Sequence, residues 1–228
     1  GDWTRQGRTR LLLAEAEIGG LEPRLLCVEN SVNRPGGTLI EMEHMRELAA
    51  WASARGMPVH LDGARLFNAC IGLGVEPEEL AAGADSVALA LSKGLSAPCG
   101  ALLAGSGELI AKARHNRWML GGNWKQGGVV AAAGLVALET MRERMAADHD
   151  NARRLARGLD AIEGLAVDLD QVVTNIIYMQ VTEQRLDLAA WSDCMVGHGV
   201  LTGGFGPERF CRWVTHPGVG AGDMDRAV

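Results

Sequence analysis

Short apolar runs alternate with stripes of helical period along the first two-thirds of the chain. Leu25–Glu29 is an apolar run that ends in the turn-rich stretch ENSVNRPGGT. From Ile40 to Arg55 apolar residues recur at helical spacing (Met42, Met45, Leu48, Ala49, Ala52), with Gly56 as the stop and Pro58 beyond it. Pro58–Leu61 reads as a short strand running into Asp62-Gly63-Ala64-Arg65. Pro77–Ala82 predicts a short helix with proline in its first turn. Ser86–Leu91 is apolar throughout, as a strand buried on both faces is, and runs into Ser92-Lys93-Gly94-Leu95. Ala101–Ala104 predicts a third strand, Ser106 caps a helix through about Trp118, LGGNWKQGG is a loop, and Val129–Ala147 reads as one long Ala-rich helix.

The order then changes. Asp148–Glu163 is a charged amphipathic helix, with Arg153, Arg154 and Arg157 set against Ala152, Leu155 and Leu159. Val172–Val181 predicts a strand, Leu186–Val196 a helix, and Leu201–Phe205 and Phe210–Thr215 two short strands. A βαβα order followed by strand–helix–strand–strand places a boundary near residue 148. Residues 1–147 are expected to form an α/β domain and 148–228 a smaller α+β domain.

Composition narrows the class. Of 228 residues, 47% are hydrophobic and 22% charged, which supports a packed core and excludes a disordered chain. The net charge of −6 argues against a nucleic-acid partner, which calls for a clustered basic surplus. The longest apolar run, Val129–Leu138, is far short of the ~20 residues of a membrane span. Five cysteines, none at CxxC spacing, point to reduced thiols and a cytoplasmic setting rather than a disulfide framework or a cysteine zinc site. The three leucines after the opening arginines are too few for a signal-peptide core. Residue 1 is Gly, and the closing AGDMDRAV reads as a helix start that stops within a turn, so both ends read as cut.

Chemistry concentrates where apolar strands end. The chain has no GxGxxG, P-loop, GxSxG or HExxH pattern. His60 and Asp62 share a strand face, but two ligands do not make a metal site. Asp62 closes one strand and Lys93 follows another, 31 positions on, about one strand–helix–strand repeat. In an open α/β sheet both then face the crevice outside the carboxyl ends of neighbouring strands. Lys93 stands between an apolar strand and the small-residue stretch GLSAPCGA, a setting that disfavours a fully solvated lysine. A desolvated lysine has a lowered pKa and serves as a nucleophile or Schiff-base former. Taken singly, Asp62 could cap a turn or pair with Arg65, and Arg212, flanked by Cys211 and Trp213 on a strand, could face water.

The segments ENSVNRPGGT, HLDGARLFNA, LSKGLSAPCGA, MLGGNWKQGG and CRWVTH occur in this order. Together they resemble the pyridoxal-phosphate (PLP)-dependent L-threonine aldolases, low-specificity type, of the β-eliminating lyase superfamily. The resemblance runs from about Leu25 to the C-terminus and is most specific from Val59 to Gly134. It implies the aspartate-aminotransferase-like fold type I, with a mostly parallel sheet in the large domain, here lacking its N-terminal part, and a small C-terminal α+β domain. It also implies a homo-oligomer, a dimer of dimers, acting on a small amino acid.

The resemblance assigns roles position by position. Lys93 matches the lysine that carries the cofactor, and Asp62 the carboxylate beside the pyridine nitrogen. Arg65 matches an arginine near the cofactor ring. Lys125 stands where the family usually has an arginine reaching a neighbouring subunit's cofactor phosphate. Arg212 matches the arginine that grips the substrate carboxylate. Asn30 and Asn33 shape the turn after the first apolar run. The implied reaction is retro-aldol cleavage of L-threonine or L-allo-threonine to glycine and an aldehyde. The alternatives are another fold-type-I lyase or an aminotransferase, for which Lys93 and Asp62 serve equally, or an inactive fragment, since the family's phosphate-cradling turn and ring-stacking histidine have no counterpart here.

Overall fold

The computed structural model describes residues 23–34 and 36–228. The opening segment, where the leucine run was read, lies outside the described residues. The described chain divides into two compact units. One holds the residues up to Ser31 together with Leu39–Arg142; the other holds Val32–Thr38 with Glu143–Val228.

The first unit is built on a four-stranded sheet in the order β1 (Leu26–Glu29), β2 (Val59–Gly63), β3 (Ser86–Ala90), β4 (Ala101–Gly105). β1–β2 and β2–β3 are parallel, and β3–β4 is antiparallel. The parallel crossovers run through helices, as they must: α1 (Met42–Ser53) between β1 and β2, and α2 (Leu66–Leu73) with α3 (Pro77–Ala81) between β2 and β3. α4 (Gly107–Met119) and α5 (Gly128–Thr140) follow β4. Ser106 caps α4 by accepting from the Leu109 amide at 3.2 Å.

Side chains alternate along β2, so Val59, Leu61 and Gly63 are buried while Asp62 is exposed on the opposite face. Leu61, Leu66, Ala69, Cys70 and Leu80 form the buried cluster, with Met42, Met45, Val87 and Leu89 packed against it. Gly63 is needed where it stands: a Cβ there would lie 2.8 Å from the Ala88 carbonyl oxygen of β3. Helix α2 has no counterpart in the sequence expectation. Its residues, LFNACIGL, are apolar almost all round, so they carry no amphipathic stripe to read.

The second unit packs an antiparallel sheet, in the order β5 (Leu165–Val167), β6 (Ile176–Val181), β7 (Phe210–Val214), against α6 (Met145–Asp160). Ala152, Leu155, Ala156 and Leu159 of α6 meet Ile177, Met179, Val181 and Cys211 of the sheet. α7 (Leu188–Gly197) and α8 (Ala221–Ala227) complete the unit. α8 is tied to α6 by a two-pronged Arg154–Asp225 pair at 2.6 and 2.7 Å. Val32–Thr38 joins this unit as a loop closed by a Val32–Thr38 bridge, where Thr174 Oγ1 donates to the Gly37 carbonyl at 2.8 Å.

Four expectations are corrected. The expected helix Val129–Ala147 is two helices, α5 and α6, separated at residues 141–144. No proline or glycine breaks it. Arg142 stacks on Phe67 at 4.8 Å and reaches Glu76, while Arg144 turns to Asp148, so tertiary contacts end the helix. Residue 148 therefore lies inside α6, and the compact units part between Arg142 and Glu143. The expected strand Val172–Val181 begins only at Ile176, after a 3₁₀ turn at Leu169–Gln171. Leu201–Phe205 makes no ladder and meets β7 through a Phe205–Cys211 bridge and a Cys211 Sγ hydrogen bond to the Gly203 carbonyl. Helix α7 and strand β5 also shift or add to the expected pattern, β5 being three residues long and too short to show a period.

Candidate active site

Asp62 is the fourth residue of β2 and pairs in register with Glu29 on one side and Ala88 on the other. Its backbone carbonyl accepts from the Asn30 amide at 3.2 Å, so the β1–β2 ladder continues past the strand end. Its Oδ1 accepts from the Ala64 amide at 3.0 Å, an Asx turn that leads into α2. Oδ2 has no partner among the described residues. The carboxylate is thus held by one oxygen and presents the other at an exposed position.

Lys93 follows β3 by three residues, in a loop drawn tight by Ala97 N donating to Leu91 O at 2.9 Å and Ser96 N donating to Lys93 O at 2.8 Å. Ser96 takes a left-handed conformation, φ 58°, to close it. Leu91, Leu95 and Ala97 turn inward and are buried. The ammonium itself is exposed and makes no ion pair among the described residues. This corrects the expectation of a desolvated lysine. The apolar neighbours that suggested it are themselves what the loop buries, and they leave the lysine on the outside.

Because β2 and β3 are parallel neighbours, Asp62 and Lys93 lie at the same, carboxyl, edge of the sheet. Arg65 follows as the residue that opens α2 and is half-buried. His60, one pleat below Asp62, meets Ser86 Oγ at 2.8 Å across the β2–β3 ladder, which accounts for it as a strand residue. Lys125 lies exposed in the loop between α4 and α5.

Arg212 is in the second unit, on β7 opposite Tyr178 of β6. It lines a cleft of about 540 Å³ with Thr202, Thr215, His216, Asp223 and Arg226. Its Nε–H is buried without a partner among the described residues.

A polar set in the same unit carries no local signal in the sequence: half-buried Arg144 with buried Asp148, Asn175 and Thr215. Arg144 pairs with Asp148. Burial pushes the Asp148 carboxyl up, and Arg144 opposes that shift. The members are up to 71 positions apart, from Arg144 to Thr215, so no local spacing signals them. Among the described residues there is no cluster of three metal-ligating side chains, and no helix is long and apolar enough to cross a membrane.

Comparison with known proteins gives the family and the fold. The chain is 42% identical over 160 residues to low-specificity L-threonine aldolase 1 of Arabidopsis thaliana, covering 70% of this chain and 45% of that one. It is 35% identical over 193 residues to the low specificity L-threonine aldolase of Escherichia coli, covering 85% of this chain and 55% of that one. The chain thus spans about half the length of the curated relatives it matches. A Leishmania major threonine aldolase superposes with a TM-score of 0.64 at 18% identity, over 91% of this chain and 60% of that one. A PLP-dependent aminotransferase from Streptococcus suis superposes with a TM-score of 0.67 at 18% identity, over 93% and 58%. These likenesses establish the α/β fold as PLP fold type I. The beta-eliminating lyase family model matches residues 10–182, across the strand ends that carry Asp62 and Lys93, and on that match the chain belongs to the beta-eliminating lyase family.

Proposed function

We propose that this chain carries the cofactor lysine, the ring-facing carboxylate and the substrate arginine of a PLP-dependent aldehyde-lyase that cleaves L-threonine or L-allo-threonine to glycine and acetaldehyde. The observation that carries the reading is the placement of Asp62 and Lys93 at the carboxyl ends of adjacent parallel strands, in a member of a PLP-dependent family. The relatives named as low-specificity L-threonine aldolases support the substrate class.

The described side chains fit the cofactor. Among the described residues, Lys93 offers an amine without an ion pair on a backbone-braced loop, and Asp62 an exposed carboxylate with one oxygen unengaged. Bound PLP supplies the electron sink for the pair left at Cα when the Cα–Cβ bond breaks. Lys93 Nζ would hold the cofactor. Asp62 would serve as the carboxylate partner of its ring nitrogen, because a neighbouring carboxylate favours the charged form. Arg65 would offer its planar fork to an oxygen substituent of the ring. Arg212 takes the α-carboxylate, which fixes the substrate's orientation and hence which Cα bond is broken. Lys125 would serve the cofactor phosphate of a neighbouring subunit as a point charge rather than a fork.

A homo-oligomer, a dimer of dimers, is supported by apolar side chains left exposed from α4 to α5: Trp118, Met119, Leu120, Trp124, Val129 and Leu135. A reducing, cytoplasmic setting is supported by five free cysteines. The reaction serves threonine breakdown and glycine supply.

The full-length protein mixed with PLP and reduced with borohydride should carry the label at Lys93, and with L-threonine it should release glycine and acetaldehyde. 2-Oxobutyrate and ammonia instead would assign β-elimination, the alternative the family name itself raises. Labelling spread over surface lysines would overturn the reading.

A further inference from the structure

Arg212 is held by its strand alone. Its side chain has no hydrogen-bond or ion-pair partner among the described residues, and its Nε–H is buried unpaired. Where the guanidinium stands therefore follows from where β7 stands. Among the described residues β7 is an edge strand, laddered to β6 on one side through five register pairs from Gln180–Phe210 to Ile176–Val214. Edge strands with one neighbour are the part of a sheet most free to shift or fray.

Directly past the last pair the strand is fastened. The Thr215 amide donates to the Asn175 carbonyl at 3.0 Å, and Asn175 Nδ2 donates back to the Thr215 carbonyl at 2.8 Å. Thr215 Oγ1 donates to the Asp148 carbonyl at 2.6 Å and lies 3.4 Å from the Asn175 carbonyl. Thr215 and Asp148 are each 1% exposed and Asn175 is 4% exposed. Buried polar groups tolerate few alternative arrangements, because each lost partner costs its desolvation. A slip of β7 along β6 would break all of these bonds at once. The Asp148 carbonyl belongs to the first turn of α6, whose later turns form the core of the unit. The Thr215 hydroxyl thus ties the end of β7 to the core helix. Thr215 stands three residues from Arg212, so side-chain alternation turns one toward α6 and the other away from it.

We propose that Thr215 is a positioning residue for substrate binding: its hydroxyl locks the end of β7 to α6 and thereby sets the place of the Arg212 guanidinium. This rests on the reading of Arg212 as the group that takes the substrate carboxylate. Thr215 acts through Arg212, and Asn175 supports it from the residue just before β6.

The test is steady-state kinetics with L-threonine on the full-length PLP-loaded protein, alongside cofactor content and Tm. Thr215→Val keeps the shape and removes the donor. It should raise KM about five- to tenfold, the effect of one buried hydrogen bond, with kcat within about twofold and cofactor content unchanged. Thr215→Ser, which restores the hydroxyl, should return KM close to wild type. In an Arg212→Ala background, Thr215→Val should add no further rise in KM, since its effect passes through Arg212. If Thr215→Val fails to fold, Asn175→Ser serves in its place and should raise KM in the same way. A wild-type KM for Thr215→Val, an equal fall in kcat, no rescue by serine, or full additivity with Arg212→Ala would each overturn the proposal. A wild-type KM for Arg212→Ala itself would instead remove the underlying reading of Arg212.

Discussion

At the residue scale, two titratable side chains make the sharpest statements. Asp62 is proposed to work through its charge, so Asp62→Asn keeps the shape and removes the function. We expect kcat to fall roughly 100-fold, the size of a lost preorganised electrostatic contact, while borohydride still labels Lys93. An unchanged kcat would detach Asp62 from the chemistry. His149 is different in kind: it is 2% exposed and bears on stability. Burial pushes its imidazolium down to about 4, with Arg153 adding to the shift and Asp150 opposing it. In the unfolded chain the same group titrates near 6.5. Between those values the unfolded chain binds a proton that the folded chain refuses, so stability falls as pH drops from about 6.5 toward 4, by up to about 1.4 kcal/mol per pH unit. Asp148, whose carboxyl burial pushes up, contributes with the opposite sign, since its folded form keeps a proton more readily than the unfolded chain. His149→Gln should therefore flatten the slope of denaturation free energy between pH 6.5 and 5. An unaltered slope would mean that His149 does not titrate on unfolding.

At the scale of elements, the loop Val32–Thr38 shows how a turn is written for a distant partner. Gly37 has φ +73°, and a Cβ there would lie 2.2 Å from Thr174 Oγ1 and 3.2 Å from Ile176. Gly37→Ala adds left-handed strain to overpacking and displaces the hydroxyl that donates to the Gly37 carbonyl. The expected loss is about 2–4 kcal/mol, read as a lowered denaturant midpoint at constant m. Gly56→Ala is the control: its φ is +64°, but nothing lies within 4 Å of its Cβ position, so it should cost about 1 kcal/mol. Equal losses for the two would show that backbone strain alone matters and that the Thr174 contact does not. The turn's Gly-Gly was plain in the sequence as a turn. That it packs on Thr174, 137 positions away, was not, because a contact of that span leaves no local period.

At the scale of the whole molecule, surface left uncovered is the main signal. Every residue of β4 is exposed, and α4 has no buried residue. In a stable protein an apolar surface of that extent meets something. If a second copy covers it, Leu135→Glu together with Trp118→Ser should shift sedimentation of the full-length protein toward smaller species, while cofactor labelling at Lys93 in the remaining assembly is kept. Unchanged sedimentation would place these side chains outside the contact between copies.

The sequence by itself determined the α/β class, the strand ends at Asp62 and Lys93, the Ser106 cap and the family motifs, because each is local: a few adjacent residues set the period, the turn or the cap. Only the tertiary structure decided the rest. The break at residues 141–144 depends on Phe67 and Glu76, which lie far back in the chain. Helix α2 is apolar all round because neighbours cover it on several sides. Lys93 is exposed because Leu91 and Leu95 take the inward positions of its loop. The Asp148–Thr215–Asn175 knot joins three segments that only packing brings together, and burial is what makes hydrogen bonds so distant in sequence specific.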